Sequence, residues 1–176
     1  MARLPYARLD TAEVRPLVER IVAERGSVLH LYQMLLHSPP LAEGWLHFLT
    51  AVRHKLDLPG GLRELVIMRV AILNGAPYEA EQHAPIALKE GISQAQLDSL
   101  ADWQQHAARY SADQRAVLAL CDSMTRDIHV PPDVMAAVVA ALGQRQAVEM
   151  TATIAAYNMV SRFLEAIQIH STDTRD

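Results

Sequence analysis

The sequence predicts an all-α fold, an expectation that rests on three observations. About half of the residues are hydrophobic (51%), but only 5% are aromatic and there are 7 glycines, a balance that favours helices. Apolar residues recur at spacings of three and four along the chain, without the alternation typical of strands. Proline, glycine and capping signals divide this pattern into segments. We therefore expect about seven to nine helices in a single domain spanning residues 1–176.

Three helices are predicted in the first third of the chain. An apolar stripe over residues 14–22 indicates the first helix, which should end at Gly26. The second is expected over residues 27–37. The third follows Ser38, a candidate N-cap, and carries its apolar residues between positions 41 and 52.

Two helices joined by a short turn should form the centre of the domain. The segment LRELVIMRVAILNG, residues 62–75, is apolar on almost every face, which is typical of a buried helix. The turn at residues 74–77 ends this helix and begins another, from about residue 77 to residue 89. Gly91 follows as an expected C-terminal stop. Because the connection is short, we expect the two helices to pack antiparallel.

The remaining helices are marked by caps and breaks. Capping boxes at residues 93–96 and 111–114 open a short helix and then a longer one. Residues 131–133 open another helix, which should end at Gly143. The closing helix is expected over about residues 144–169.

Composition and charge argue against several function classes. The net charge is −4 without a basic patch, so we expect no nucleic-acid partner. We expect no membrane partner, because no apolar stretch reaches about 18 residues and no signal peptide is visible. A single cysteine, Cys121, excludes an internal disulfide and suits a reducing compartment, so a cytoplasmic location is expected. We interpret Cys121 itself as a small buried hydrophobe.

Three ionisable side chains lie in or beside the most apolar helices. Glu64 begins the first central helix, and Glu79 and His83 stand four residues apart on one face of the second. Antiparallel packing would bring Glu64 toward His83. A carboxylate that faces an imidazole in a dry pocket can transfer protons, because the acid orients the ring and the ring titrates near neutral pH.

The same residues permit other interpretations. Glu64 and Glu79 fall in the first turns of their predicted helices, where the helix dipole favours a negative charge. A Glu–His pair four residues apart can also be a surface feature. With Glu64, the pair Glu79 and His83 could instead hold Zn, Mn or Fe. The spacing by itself leaves these alternatives open.

Other polar residues also share helix faces. Four histidines on the early helices form pairs seven residues apart, His30 with His37 and His47 with His54. We interpret them as core edges or interface residues rather than ligands. In the closing helix Asn158 and Arg162 share a face beside Tyr157, and we favour a subunit interface over a pocket for this group.

The segment from residue 63 to residue 83 resembles the carboxymuconolactone decarboxylase family, which includes alkylhydroperoxidase D. The peroxidase pattern has a glutamate, a cysteine twelve residues later, a second cysteine three residues further on and a histidine four beyond. Glu64 and His83 match this pattern, whereas Ala76 and Glu79 occupy the two cysteine positions. The segment AAYNMVSRFLEAI also resembles the closing helix of members that carry a Tyr-Glu-x-x-x-His motif.

The resemblance implies an AhpD-like helical domain with its family core at about residues 40–169. It also implies that no peroxidase cycle runs through a thiolate and a resolving thiol, since both cysteines are missing. The decarboxylase branch needs no cysteines, cofactor or metal. By resemblance, His83 would be the acid, Glu64 would orient it and Glu79 would be a second proton carrier, acting on a small carboxylated or lactone compound.

Binding of such a compound needs a cationic anchor. Arg63 or Arg69 could hold a carboxylate, and Tyr78 is expected beside the site at the start of the second helix. The alternative function is a helical scaffold that binds a small hydrophobic ligand or only assembles. Residual redox activity is the least favoured.

Self-association is expected on two grounds. The segment from Leu65 to Leu73 is apolar on every face, and a compact monomer has limited room to bury it. The family resemblance implies assembly through such helices, and we expect a homo-oligomer, with a trimer or hexamer favoured.

Overall fold

The structure, a computed structural model, describes residues 1–175. In this part of the chain the regular elements are helical, and strands are absent. The α-helices are α1 Arg15–Arg25, α2 His30–Leu35, α3 Pro39–His54, α4 Gly60–Asn74, α5 Pro77–Lys89, α6 Gln94–Asp98, α7 Ala112–Asp122 and α8 Pro132–Ile167. The predicted all-α fold and helix number are confirmed. Of the helices described, none has the length and apolar character needed to cross a membrane.

The chain divides into two compact units. The first consists of Met1–Leu56 and the chain from Leu164 on, and the second of Asp57–Phe163. Every residue that sequence analysis placed in or beside the candidate active site lies in the second unit. The expectation of a single domain over the whole chain stays a prediction.

The first unit contains α1, α2 and α3. Helix α1 ends as predicted at Gly26, whose φ of 79° is the left-handed conformation that glycine adopts without strain. Ser38 occupies the N-cap position of α3, but its side chain makes no cap hydrogen bond, and the helix instead begins with Pro39. The apolar faces of these helices meet in a core that includes the fully buried Ile21 and Leu46.

The second unit is built around α4. Its side chains from Leu65 to Ala71 are buried, and α5 runs back along it after a turn at Gly75, whose φ is 62°. The core on this side of α4 gathers apolar residues from the following helices and turns: Leu65, Met68, Ala87, Ile92, Leu100, Trp103, Tyr110 and Leu118. The predicted antiparallel pair is therefore the centre of this unit.

The two predicted capping boxes are confirmed, and a π-helical turn breaks the chain where the sequence predicted no break. Ser93 and Ser111 both form complete capping boxes. Gly143 interrupts α8 with φ 77° and ψ 169°, as expected for a glycine stop. A turn of π-helix at Ser123–Asp127, followed by Ile128 at φ 67°, was not predicted, because the apolar spacing continues through α7 into it.

The burial of α4 changes the argument for self-association. Sequence analysis expected residues 65–73 to need a partner subunit. In the structure Val66, Ile67 and Val70 are already inaccessible to solvent within their own chain. The apolar character of α4 is thus explained by burial within its own chain, and self-association needs other support.

Candidate active site

Glu64 and His83 face each other across the two central helices. The Oε2 atom of Glu64 lies 2.7 Å from Nδ1 of His83. The side chain of Glu64 is 1% exposed and that of His83 9%. A short contact to a carboxylate indicates that Nδ1 carries the ring proton.

Arg63 holds the other oxygen of the same carboxylate. Its Nε atom donates to Oε1 of Glu64 over 3.0 Å, and its side chain is 15% exposed. One terminal nitrogen of Arg63 also lies 4.0 Å from Oε1 of Glu90, at the end of α5. Both oxygens of Glu64 are therefore engaged, one by a guanidinium and one by an imidazole, and the carboxylate has little freedom to rotate.

The surroundings of Glu64 keep it ionised. Burial by itself would raise the pKa of Glu64, because a low-dielectric environment disfavours the charged form. The hydrogen bond and charge of His83, and then those of Arg63, oppose burial and together hold the pKa below its usual range. At neutral pH the carboxylate is thus a charged acceptor that orients the ring.

This lowered pKa predicts a pH dependence of stability. A carboxyl whose pKa is lower in the folded state stabilises the protein fully above its unfolded pKa, roughly 4.3. That contribution is lost as the pH falls through the lower folded pKa of Glu64. Urea unfolding should therefore show Glu64→Gln to be less stable than the parent at pH 7, with the difference shrinking below about pH 4. If the difference in stability between the parent and Glu64→Gln stayed constant from pH 7 to pH 3, the lowered pKa of Glu64 would be contradicted.

Tyr157 packs against the imidazole. Its ring centroid lies 5.0 Å from that of His83, and the two rings are almost perpendicular at 87°. Tyr157 is 2% exposed. Sequence analysis favoured a subunit interface for this residue, because nothing in the spacing of α8 relates it to α5. The ring contact instead makes Tyr157 part of the wall around His83.

Glu79 and Tyr78 are buried on α5, the same helix as His83. They are 2% and 3% exposed. Glu79 lies in the first turn of α5, as the dipole interpretation required, whereas Glu64 is the fifth residue of α4 and lies beyond its first turn. The dipole interpretation is therefore wrong for Glu64. That Glu79 and Tyr78 share one pocket with the Glu64–His83 pair stays a prediction.

Arg69 has a different environment from Arg63. It is fully buried, and its guanidinium makes a two-pronged pair with the Asp122 carboxylate over 2.6 and 2.9 Å. Its remaining terminal nitrogen, Nη1, donates to the carbonyl oxygens of Leu100 and Ala101. The same carboxylate accepts from Trp103 as well. This arrangement ties α4 to α7 and favours a structural role for Arg69 over the anchor role that the sequence allowed.

Asn158 and Arg162 belong to a polar cluster within the second unit. Arg162 donates to the Asn158 side-chain oxygen over 2.9 Å, and Asn74 donates to the same oxygen over 3.0 Å. Asn158 in turn donates to Thr125 of the π-helical turn. These contacts within the chain account for their shared face, and the interface role stays a prediction.

The early histidines lie in the first unit, whereas the Glu64–His83 pair belongs to the second. The Nε2 atom of His37 is 2.7 Å from the Pro5 carbonyl oxygen, and that of His30 is 3.1 Å from the Asp173 carbonyl oxygen. These contacts are typical of structural histidines that fix chain segments. Across residues 1–175 no group of three or more His, Cys, Asp or Glu side chains is arranged to hold a metal ion.

Cys121 is a buried, unreactive thiol. It is fully inaccessible, and its Sγ atom lies 3.7 Å from the Val66 carbonyl oxygen. Burial, reinforced by the charge of Asp122, raises the pKa of Cys121 to about 12. At neutral pH the thiolate that a peroxidase needs is essentially absent.

The fold is the all-α fold of AhpD-like proteins, and it carries a buried carboxylate–imidazole pair. Residues 39–122 match the model of the carboxymuconolactone decarboxylase family. This segment resembles the family, and the chain lacks the cysteine pair of the peroxidase branch. No curated protein matches the chain in sequence.

Solved structures share the fold at low sequence identity. The AhpD core of an uncharacterised peroxidase-related protein from Ralstonia eutropha JMP134 has a TM-score of 0.82 and 20% identity, over 98% of this chain and 93% of that one. An uncharacterised peroxidase-related protein from Silicibacter sp. TM1040 has a TM-score of 0.80 and 16% identity, over 96% and 89%. The debrominase Bmp8 in complex with 2,3,4-tribromopyrrole has a TM-score of 0.77 and 18% identity, over 94% and 89%.

The missing thiol pair leads to a prediction about peroxide. With Ala76 and Glu79 at the cysteine positions and Cys121 protonated, no dithiol cycle can run. We expect no turnover of alkyl hydroperoxides with a dithiol reductant when the peroxide concentration is followed over time. Cys121→Ser should give the same result as the parent protein. Sustained peroxide consumption by both proteins would show that another chemistry operates.

Proposed function

We propose that the protein is a decarboxylase-like enzyme that acts on a small carboxylated or lactone compound through acid–base chemistry at Glu64, Glu79 and His83. The observation that carries the proposal is the buried contact of 2.7 Å between Glu64 and His83. The match of residues 39–122 to the carboxymuconolactone decarboxylase family supports it, because the decarboxylase branch needs no cysteines. The finer assignment to decarboxylation rests on this chemistry and family relationship together.

The proposed reaction divides the work between the three residues. The bond between the ring carbon and its carboxylate breaks, carbon dioxide leaves, and the electron pair stays on the conjugated ring. His83 then donates a proton to the ring carbon from Nε2, while Glu64 stabilises the imidazolium that precedes this transfer. Glu79, one turn earlier on α5, would return a proton from solvent to His83.

Of the two arginines, Arg63 is the better candidate for a substrate anchor. It lies beside the Glu64–His83 pair and keeps part of its side chain exposed, whereas the guanidinium of Arg69 is taken up by Asp122 and two carbonyls. Tyr78 and Tyr157 would supply apolar walls for a flat ring. The related fold of the debrominase Bmp8 holds 2,3,4-tribromopyrrole, which supports including small cyclic compounds among the candidates.

A substrate screen tests the proposal. Lactones and intermediates of aromatic degradation would be incubated with the protein and followed by mass, with a loss of carbon dioxide expected for at least one compound. His83→Ala is the active-site control and should abolish the change. If parent and variant leave every compound unchanged while a small apolar ligand still binds, the scaffold alternative is favoured.

Self-association is proposed through α8 rather than α4. A shallow apolar groove on the second unit is lined along α8, with Val148 70% exposed among residues that include Met135, Val139 and Ala152. Apolar surface of this kind is typical of contacts between subunits. The trimer or hexamer expected from family resemblance would use this face.

A charge placed in the groove should disrupt such an assembly. We expect Val148→Glu to lower the oligomeric state measured by light scattering at micromolar concentration, because a buried unpaired carboxylate is unfavourable. Leu41→Glu, at a residue of the first unit that is 48% exposed, is the matched control. A monomeric parent protein, or an unchanged mass for Val148→Glu, would reject this interface.

A further inference from the structure

The end of α5 lies directly against the start of α4, where two glycines make room for Glu90. A methyl group on Gly60 would occupy the space taken by the Glu90 carboxylate. One on Gly61 would lie 3.0 Å from the Glu90 carbonyl oxygen, closer than most such contacts. Neither glycine has a positive φ, so backbone conformation does not explain them. The absence of side chains at these positions allows the carboxylate to approach the helix.

Two electrostatic features favour the Glu90 carboxylate at this place. It faces the first residue of α4, where unpaired N–H groups and the helix dipole attract negative charge. It also lies 4.0 Å from the guanidinium of Arg63, whose Nε atom donates to Glu64. A line of side chains with alternating charge thus runs from the rim of the second unit to its interior, through Glu90, Arg63, Glu64 and His83.

We propose that Glu90, seated on Gly60 and Gly61, is a positioning residue for the Glu64–His83 pair and acts through Arg63. It holds the guanidinium between two carboxylates, which fixes the direction of the Nε–Glu64 hydrogen bond. It also offsets the positive charge of Arg63, so that more of the negative charge of Glu64 is available to the imidazolium form of His83. The role in turnover rests on the function proposed above, whereas the electrostatic link does not.

The groups that face His83 make the effect of Glu90 measurable. Glu64 meets the ring from α4, Tyr157 meets it from α8, and Glu79 lies one turn earlier on α5. Of these groups, Glu64 accepts a hydrogen bond from Arg63. A change at Glu90 therefore reaches the imidazole through Arg63 and Glu64, and it should leave the ring contact with Tyr157 intact.

The test is an NMR titration of the His83 ring in Glu90→Gln, which keeps the shape of the side chain and removes its charge. We expect the midpoint of the His83 titration to fall by about 0.3 pH units, the size of a single screened charge acting through a high effective dielectric. Gly60→Ala should shift the midpoint in the same direction, because its methyl group displaces the carboxylate. The double variant should shift it no further than Glu90→Gln alone.

Two matched controls separate this link from general effects. Glu81→Gln removes the same charge from an exposed site on α5, and Gly44→Ala adds a methyl group to α3 where no atom lies within 4 Å. Both should leave the midpoint unchanged. An unmoved midpoint in Glu90→Gln, or an equal shift in Glu81→Gln, would overturn the proposal. Because the titration needs no substrate, its result is independent of whether the proposed decarboxylation is found.

Discussion

Replacing His83 by alanine is expected to destabilise the protein and to abolish its turnover. The Glu64 carboxylate, 1% exposed, would lose the imidazole that contacts Oε2 and would keep only Arg63. Removing one partner of a buried ion pair lowers the free energy of unfolding by an amount on the order of 3 kcal/mol. Urea unfolding at pH 7 measures this loss, and the substrate screen measures turnover.

The control for His83→Ala is the same substitution at an exposed histidine. His129 follows the π-helical turn and is exposed, so His129→Ala should change the free energy of unfolding by less than about 0.5 kcal/mol. If His83→Ala and His129→Ala unfold at the same urea concentration and retain turnover, the Glu64–His83 contact contributes neither stability nor chemistry. The scaffold interpretation would then replace the enzymatic one.

Removing Asp122 is expected to have an equally large effect on stability. Arg69 is fully buried. Asp122→Ala would remove the carboxylate that neutralises the Arg69 guanidinium and leave it with the two carbonyl acceptors. Trp103 would lose its acceptor at the same time. We expect the free energy of unfolding to fall by about 3–5 kcal/mol, the usual cost of breaking a buried ion pair from one side.

A nearby exposed acid provides the comparison for Asp122. Asp127→Ala, in the π-helical turn, removes the same charge from the surface and should be nearly neutral. Arg69→Met with Asp122→Leu, which removes both charges, should be less destabilising than Asp122→Ala alone. A loss below 1 kcal/mol in Asp122→Ala would show that the pair does not hold α4 to α7.

The sequence predicted the contact between Glu64 and His83 because the information is local. Periodicity placed both residues on helices, and the short turn at Gly75 left antiparallel packing as the natural arrangement. Capping boxes set the starts of α6 and α7, and glycines follow the ends of α1, α4 and α5, for the same reason, since each signal involves residues within a few positions of one another. These elements were correctly predicted without knowledge of distant contacts.

The roles of the two arginines could not be predicted in this way. Arg63 and Arg69 lie on the same apolar helix, and both looked able to anchor a carboxylate. The two arginines differ in their partners. Arg69 forms an ion pair with Asp122, which lies far along the chain, whereas Arg63 lies between Glu64 and Glu90. Pairing between distant segments depends on the packing of helices, which periodicity does not specify.

Tyr157 and the π-helical turn escaped prediction for related reasons. The ring of Tyr157 meets His83 only because α8 passes beside α5 in the folded unit. The π-helical turn continues the apolar spacing of α7, so the pattern offers no break at Ser123. Self-association was argued from α4, yet tertiary burial of that helix moves the argument to the exposed residues of α8.

The central claim is that the Glu64–His83 pair transfers a proton to a bound substrate. The pH–rate profile of kcat/KM, measured on a compound from the screen for the parent and for Glu64→Gln, tests this most directly. The account predicts a rate lower by about 100-fold or more in Glu64→Gln, with the remaining activity shifted to lower pH because the imidazolium has lost its carboxylate. The same rate and the same profile in both proteins would contradict it.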